Sequence, residues 1–67
     1  MVNLTLTEQK VLKLLVKGYS NPKIAKELCV TETTIKAHIS NILKKLHLKN
    51  RVQIVVFALK NELIKYK

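Results

Sequence analysis

Residues 31–46, T-E-T-T-I-K-A-H-I-S-N-I-L-K-K-L, decide the fold that this sequence predicts. At about 3.6 residues per turn, the large apolar residues of this stretch fall on one face of a helix. That face comprises Ile35, Ile39, Ile42 and Leu46. The opposite face is small, polar or cationic and contains no acid; its members are Thr33, Lys36, Ala37, Ser40 and Lys44, with Asn41 at the edge. Two interpretations are open, a solvated helix face or a face suited to the DNA major groove, which is about 12 Å wide.

The charge balance favours a polyanionic partner. Lys and Arg together number 13 against four acidic residues, which gives a formal net charge of +9 on a chain of 67 residues. Such an excess on one small domain, residues 1–67, favours nucleic acid or an anionic membrane surface. Charge alone does not choose between these two partners.

Other classes of protein have little support in the sequence. Cys29 is the single cysteine, so an intrachain disulfide is impossible, and with His38 and His47 it lacks the number and spacing of zinc ligands. No carboxylate pair or activated nucleophile indicates an enzyme, and we expect no cofactor. No apolar run approaches the roughly 18 residues of a membrane span, and no signal peptide is evident. We therefore expect a reducing, cytoplasmic setting.

A first helix is predicted from the T-L-T-E segment onward. Thr5 and Glu8 have the spacing of a capping box, and Gly18 ends the helix just after Lys17. The apolar face predicted for this helix comprises Val11, Leu12, Leu15 and Val16. This pattern predicts one helix of about three turns that packs on the core.

A short second helix precedes residues 31–46. Asn21 is the preferred N-cap, with Pro22 at the first helical position and Ser20 as the alternative cap. The predicted buried face is Ile24, Ala25 and Leu28. The next residues, Cys29 and Val30, form a tight turn, and we expect the Val30 side chain to plug the gap between the helices. With Thr31 capping the third helix, the arrangement is a helix-turn-helix.

A fourth helix, from Arg51 to about Asn61, is apolar on two sides. The inner stripe comprises Ile54, Val55 and Ala58, and the outer stripe comprises Val52, Val56, Leu59 and Leu63. A helix in so small a protein cannot easily bury two apolar sides. We prefer the interpretation that the outer stripe packs on its copy in a two-fold dimer. The alternatives are deep burial against the first helix and a chance stripe in a Val-rich helix; Leu63 and Ile64 are expected to close the base of the core.

Short segments in a fixed order and spacing match a known pattern. They are L-T at 4–5, V-L-K-L-L at 11–15, G-Y-S-N at 18–21, I-A at 24–25, T-I-K-A-H at 34–38, N-I at 41–42, K-L at 45–46, R at 51, A at 58 and L-I at 63–64. Over nearly its whole length the chain resembles the LuxR-type, GerE-like, DNA-binding domain. The resemblance implies an all-α, four-helix helix-turn-helix fold, with a tri-helical core and a fourth helix at the dimer face. It also implies a bacterial-type transcription regulator, commonly the output half of a response regulator.

The sequence departs from this family around the starts of the first two helices. The family usually has Arg at the position of Thr7, Glu at Lys10, Lys at Pro22 and Glu at Lys23. Lys23 in a first helical turn opposes the helix dipole by a few tenths of a kcal/mol. A DNA phosphate near the start of this helix would reverse that cost, so Lys23 is included among the predicted DNA contacts.

By position in the family pattern, the resemblance assigns base contacts to Lys36, Ala37 and Ser40. Phosphate contacts fall to Thr33, Thr34, Asn41 and Lys44, and to Lys49 and Arg51 around the start of the fourth helix. Two alternatives stay open. The Thr34 hydroxyl can serve the helix start instead, and the Arg51 guanidinium can bind carbonyls or a carboxylate within the protein.

Four expectations about partners follow. Double-stranded DNA and a second copy of the chain are expected, RNA polymerase is a further candidate, and no membrane partner is expected. A promoter-binding module similar to sigma-factor region 4 is one alternative, since L-T at 4–5 with E-Q-K-V-L at 8–12 would fit it. The other is a basic protein-interaction or membrane-surface module without specific DNA readout.

Overall fold

Over residues 4–60, which the computed structural model describes, the chain forms four α-helices and no strand. These are α1 (Leu6–Val16), α2 (Asn21–Leu28), α3 (Glu32–Leu46) and α4 (Arg51–Lys60). Helices α1 and α3 each pack against all the others, whereas the backbones of α2 and α4 do not contact one another. The predicted all-α, four-helix architecture is confirmed.

The predicted ends of α1 are confirmed. The Thr5 backbone N–H donates to Glu8 Oε1 at 3.0 Å, and the Glu8 N–H donates to Thr5 Oγ1 at 3.1 Å, which completes a capping box. Gly18 follows the helix with φ +87°, a left-handed conformation that glycine adopts without a steric penalty. The chain can therefore turn directly from α1 towards α2.

The preferred cap of α2 was wrong, and the alternative is correct. Ser20 is the N-cap, with an extended backbone and a side chain that accepts from the Lys23 N–H at 3.4 Å. Asn21 is the first helical residue and Pro22 the second. The Asn21 side chain does not cap the helix because its Oδ1 accepts a hydrogen bond from Arg51 Nη1 at 2.8 Å.

The turn between α2 and α3 is made as predicted, but Val30 does not plug it. Cys29 adopts the left-handed conformation with φ 57°, and the Val30 N–H donates to the carbonyl of Ala25 at 3.0 Å. The Val30 side chain is 39% exposed. Ile24, Ala25 and Ile35 are themselves buried at this junction, so the two helices fill it without Val30.

The hydrophobic core draws on every helix. Its buried members are Val11, Leu12, Leu15, Ile24, Ala25, Ile35, Ile39, Ile42, Leu46, Ile54 and Ala58. All four apolar residues that define the buried face of α3 are therefore in the core. Val16, expected on the buried face of α1, is only half-buried, as is Leu28 of α2, because both lie at the margin of the packed face. Leu63 and Ile64 lie outside the described residues.

Candidate nucleic-acid interface

The outer face of α3 is presented to solvent. Because its apolar face is locked into the core, the side chains on the opposite side of the helix point away from the protein. The exposed members are Thr33, Lys36, Ala37, Ser40, Asn41 and Lys44. A surface with cations and short side chains and without a carboxylate is chemically suited to approach a polyanion closely.

Thr34 is the one predicted site residue of α3 that is not fully exposed. Thr31 caps the helix, with Oγ1 accepting from the Thr34 N–H at 3.2 Å. The hydroxyl oxygens of Thr31 and Thr34 also lie 3.0 Å apart, within hydrogen-bonding distance. The Thr34 hydroxyl therefore serves the start of α3, as the alternative interpretation expected.

Arg51 joins the start of α4 to the start of α2, although the backbones of these two helices do not contact one another. It is half-buried at the start of α4, where Nη1 donates to Asn21 Oδ1 at 2.8 Å and Nη2 donates to the Tyr19 carbonyl at 3.1 Å. Two hydrogen bonds from a guanidinium fork fix both distance and orientation. Arg51 thus anchors the start of α4 to the segment before α2, which fits the intramolecular interpretation. Lys49, two residues earlier, is exposed.

Lys23 has an intramolecular partner that sequence reasoning missed. Its side chain is exposed, and Nζ lies 4.2 Å from the centroid of the Tyr19 ring, a cation–π contact. The two residues are four positions apart in sequence, but they flank a helix start, where helical spacing rules give no guidance. The contact holds an ammonium group near the N-terminus of α2.

An ion pair that is buried only on the Glu8 side ties α3 to α1, and sequence reasoning missed it as well. Glu8 is 4% exposed, and its Oε1 accepts from Lys45 Nζ at 2.7 Å in addition to the Thr5 N–H. The hydrogen bond from Lys45 lowers the pKa of the Glu8 carboxyl, and the Thr5 hydrogen bonds add to this effect while burial opposes it. Lys45 directly follows Lys44, an exposed residue of the outer face of α3. The ion pair between Lys45 and Glu8 therefore holds α3 in position next to that face.

The outer stripe of α4 is also at the surface. Val52, Val56 and Leu59 are 67%, 48% and 49% exposed, whereas Ile54 and Ala58 on the inner side are buried. These three outer residues are therefore not buried against α1. Leu63, the fourth predicted member of the stripe, lies outside the described residues.

Two further observations concern metal ligands and membrane spans in the described part of the chain. Residues 4–60 contain no group of three or more His, Cys, Asp or Glu side chains placed to hold a metal ion. None of the helices in this range is both long and apolar enough to span a bilayer.

A core of four helices that holds a cationic, acid-free face of α3 outward defines a helix-turn-helix DNA-binding domain of the kind found in transcription regulators. Residues 2–58 match the family described as bacterial regulatory proteins, luxR family, and the chain belongs to that family. The predicted resemblance is thereby confirmed.

The chain is also similar to individual known proteins. It is 46% identical over 61 residues to the response regulator protein VraR of Staphylococcus aureus, covering 91% of this chain and 29% of VraR. The VraR proteins of Staphylococcus saprophyticus and Staphylococcus epidermidis match equally well. The solved structure of the transcription factor GerE superimposes with a TM-score of 0.81 at 36% identity, over 88% of both chains. The chain thus spans less than a third of the length of these VraR relatives.

Proposed function

We propose that this chain binds specific double-stranded DNA sequences with the outer face of α3 in the major groove, as the output domain of a bacterial transcription regulator. The observation that carries the proposal is the division of α3 into two faces. The four large apolar residues of its inner face are buried, while Lys36, Ala37 and Ser40 are exposed on the opposite side. A rigid helix that presents short side chains can approach base edges closely.

The base contacts follow from the chemistry of three side chains. The Lys36 ammonium donates to guanine O6 or N7, the Ala37 methyl contacts the thymine methyl, and the Ser40 hydroxyl donates or accepts. These residues stand at positions i, i+1 and i+4 of one helix, so their side chains lie on one side within about 6 Å along the axis. They therefore read neighbouring base pairs.

The phosphate contacts surround this reading face. We assign them to exposed side chains with donor groups, namely Lys23, Thr33, Asn41, Lys44 and Lys49. Thr34 and Arg51 take positioning roles instead, because the hydroxyl of Thr34 and the guanidinium of Arg51 already have partners in the protein. They hold the starts of α3 and α4 in place.

A two-fold dimer through α4 completes the proposal. Val52, Val56 and Leu59 form an exposed apolar stripe, and self-association would remove it from water. Two copies related in this way read two half-sites whose centres are about 34 Å apart, one turn of the DNA helix. The bound sequence should therefore be an inverted repeat.

Selection from a pool of random duplex DNA, followed by affinity measurements on the selected site, tests the reading face. Lys36→Ala should weaken binding by about 1–3 kcal/mol and relax the preference at one base position. Lys44→Ala should weaken all sequences alike and make the salt dependence shallower by about one unit. Lys10→Ala on α1 removes the same charge elsewhere and is the control. Absence of an enriched sequence, or identical behaviour of the Lys36 and Lys44 variants, would contradict the proposal.

The dimer is tested by stoichiometry on the selected inverted repeat. The native chain should bind as two cooperative copies, and Val56→Glu should bind the two half-sites independently. Gln53→Glu adds the same charge to α4 outside the outer stripe, so it should keep the cooperativity. Unchanged cooperativity in Val56→Glu would exclude α4 as the dimer face, while leaving DNA reading by α3 intact.

A further inference from the structure

A groove of about 250 Å³ lies between the outer side of α1 and the end of α2. Its apolar lining comes from three half-buried side chains, Leu14, Tyr19 and Leu28, which pack against the core from outside. Neither α3 nor α4 contributes a lining residue. The groove is therefore separate from the face proposed to read DNA, and a ligand there would not compete with DNA for the same side chains.

Lysines form the rim of this groove. Lys10, Lys13 and Lys17 line it from α1, all three are exposed, and none forms an ion pair with a carboxylate of residues 4–60. They are spaced three and four residues apart on one helix, and each such like-charge pair destabilises a helix by about 0.2–0.5 kcal/mol. Negative groups placed along this rim would be attracted to the three ammonium groups and would offset the repulsion between them.

The same side of α1 carries an exposed apolar residue. Leu6 lies one turn before Lys10, and its side chain is 76% exposed. It is on the outer side of α1, opposite the face that packs in the core. It extends the apolar surface beyond the groove towards the start of the helix. The outer side of α1 therefore combines apolar contact area with positive charge over about three turns.

We propose that this groove, with its lysine rim, is a docking site for an acidic segment of another protein. One large apolar side chain of that segment fills the groove, and carboxylates on either side contact Lys10, Lys13 and Lys17. The combination favours a protein segment over nucleic acid, since a phosphate backbone brings charge but no aliphatic group for the apolar lining. Glu27 also lines the groove and repels phosphates and carboxylates alike, so it does not distinguish the two ligands. Lys23 already covers one face of the Tyr19 ring, which hinders a nucleobase from stacking there.

A synthetic peptide provides the probe, with Glu and Asp residues around a central Leu-Phe pair. Binding is followed by fluorescence anisotropy of the labelled peptide and by amide chemical shifts of the isotopically labelled chain. The expected shifts concentrate at residues 10–19 and 27–28. A second peptide with Ser in place of Leu and Phe should bind clearly more weakly, because it cannot fill the groove.

Charge-reversal variants locate the contact. Lys13→Glu should lower the affinity for the peptide about fivefold, as expected for losing one surface ion pair and gaining a repulsion. Lys60→Glu makes the same charge change on α4, outside the groove, and should have a much smaller effect. Thermal unfolding by circular dichroism shows whether both variants remain folded.

Three results would overturn the proposal. Equal binding of the Ser-substituted peptide would show attraction by charge alone, and equal effects of Lys13→Glu and Lys60→Glu would show that the groove is not involved. Duplex DNA that shifts the groove amides more than the acidic peptide does would identify the rim as a phosphate contact. None of these results bears on DNA reading by α3, which is measured separately.

Discussion

Removing Lys45 should destabilise the domain more than removing Lys45 and the charge of Glu8 together. Glu8 is 4% exposed, and the Lys45 ammonium lies 2.7 Å from its Oε1. Lys45→Met keeps most of the apolar stem but leaves the buried Glu8 carboxylate without its cation. The second change, Glu8→Gln, removes that stranded charge while keeping an oxygen that can accept from the Thr5 N–H.

The magnitude follows from the burial of the two partners. Breaking a fully buried pair costs about 3–5 kcal/mol, whereas exposed pairs are worth at most about 1 kcal/mol. The Lys45 side chain is 37% exposed, so water reaches one side of the contact and screens it. We therefore expect about 2 kcal/mol for Lys45→Met, about 1 kcal/mol for Glu8→Gln, and about 1 kcal/mol for the double variant, a coupling of roughly 2 kcal/mol.

Urea unfolding at neutral pH, followed by circular dichroism, measures all four corners of this cycle. The two single changes should not add, and the Lys45→Met variant should regain stability when Glu8→Gln is introduced. If the double variant lost as much unfolding free energy as the two single variants together, the coupling free energy between Glu8 and Lys45 would be zero. The reasoning about the buried carboxylate would then be refuted.

Three further outcomes are expected. The pKa of Glu8 is lowered in the folded chain from a reference value of 4.5, so its contribution to stability is complete above that value and is lost as the pH falls through the folded pKa. In acid titrations followed by circular dichroism, Glu8→Gln should therefore lose less stability than the native chain. Ser20→Ala should cost about 1 kcal/mol in urea unfolding because it removes the cap of α2, and a negligible loss would contradict that role. Arg51→Gln and Asn21→Ala should each lower the free energy of unfolding. The double variant should lose less than the sum of the two losses, because the two residues share one hydrogen bond. Strict additivity would show that this hydrogen bond does not stabilise the domain.

Local patterns in the sequence were sufficient to predict most of the fold. The 3.6-residue period of Ile35, Ile39, Ile42 and Leu46 predicted the buried face of α3, and all four are buried. The Thr5 to Glu8 spacing predicted the start of α1, and Gly18 predicted its end. Each of these signals depends on residues within one or two helical turns of one another, so no tertiary information was needed.

Two of the features that were missed depend on distant parts of the chain. Asn21 and Ser20 are both good N-caps, and the choice between them becomes clear only when Arg51, 30 residues later, is seen to bind the Asn21 side chain. The contact between Glu8 and Lys45 spans 37 residues. Nothing near Lys45 distinguishes it from an ordinary surface charge, and the capping box predicted for Glu8 does not indicate a partner on another helix.

The candidate site was predictable in part. Periodicity alone predicted that Lys36, Ala37 and Ser40 would be exposed, because they lie opposite the buried stripe of α3. The intramolecular partners of Thr34 and Arg51 were open alternatives, since a hydroxyl or guanidinium serves a protein carbonyl as readily as a phosphate. Which exposed groups meet bases depends on the geometry of a complex, and the sequence does not contain that geometry.

Methylation interference on the selected DNA site tests the central claim most directly, because it reports which groove α3 occupies. Dimethyl sulfate methylates guanine N7, which lies in the major groove, and adenine N3, which lies in the minor groove. We predict that methylation of guanine N7 at one position in each half-site blocks binding of the native chain, and that Lys36→Ala binds the methylated and unmethylated sites alike. Interference confined to adenine N3 would contradict major-groove reading by α3.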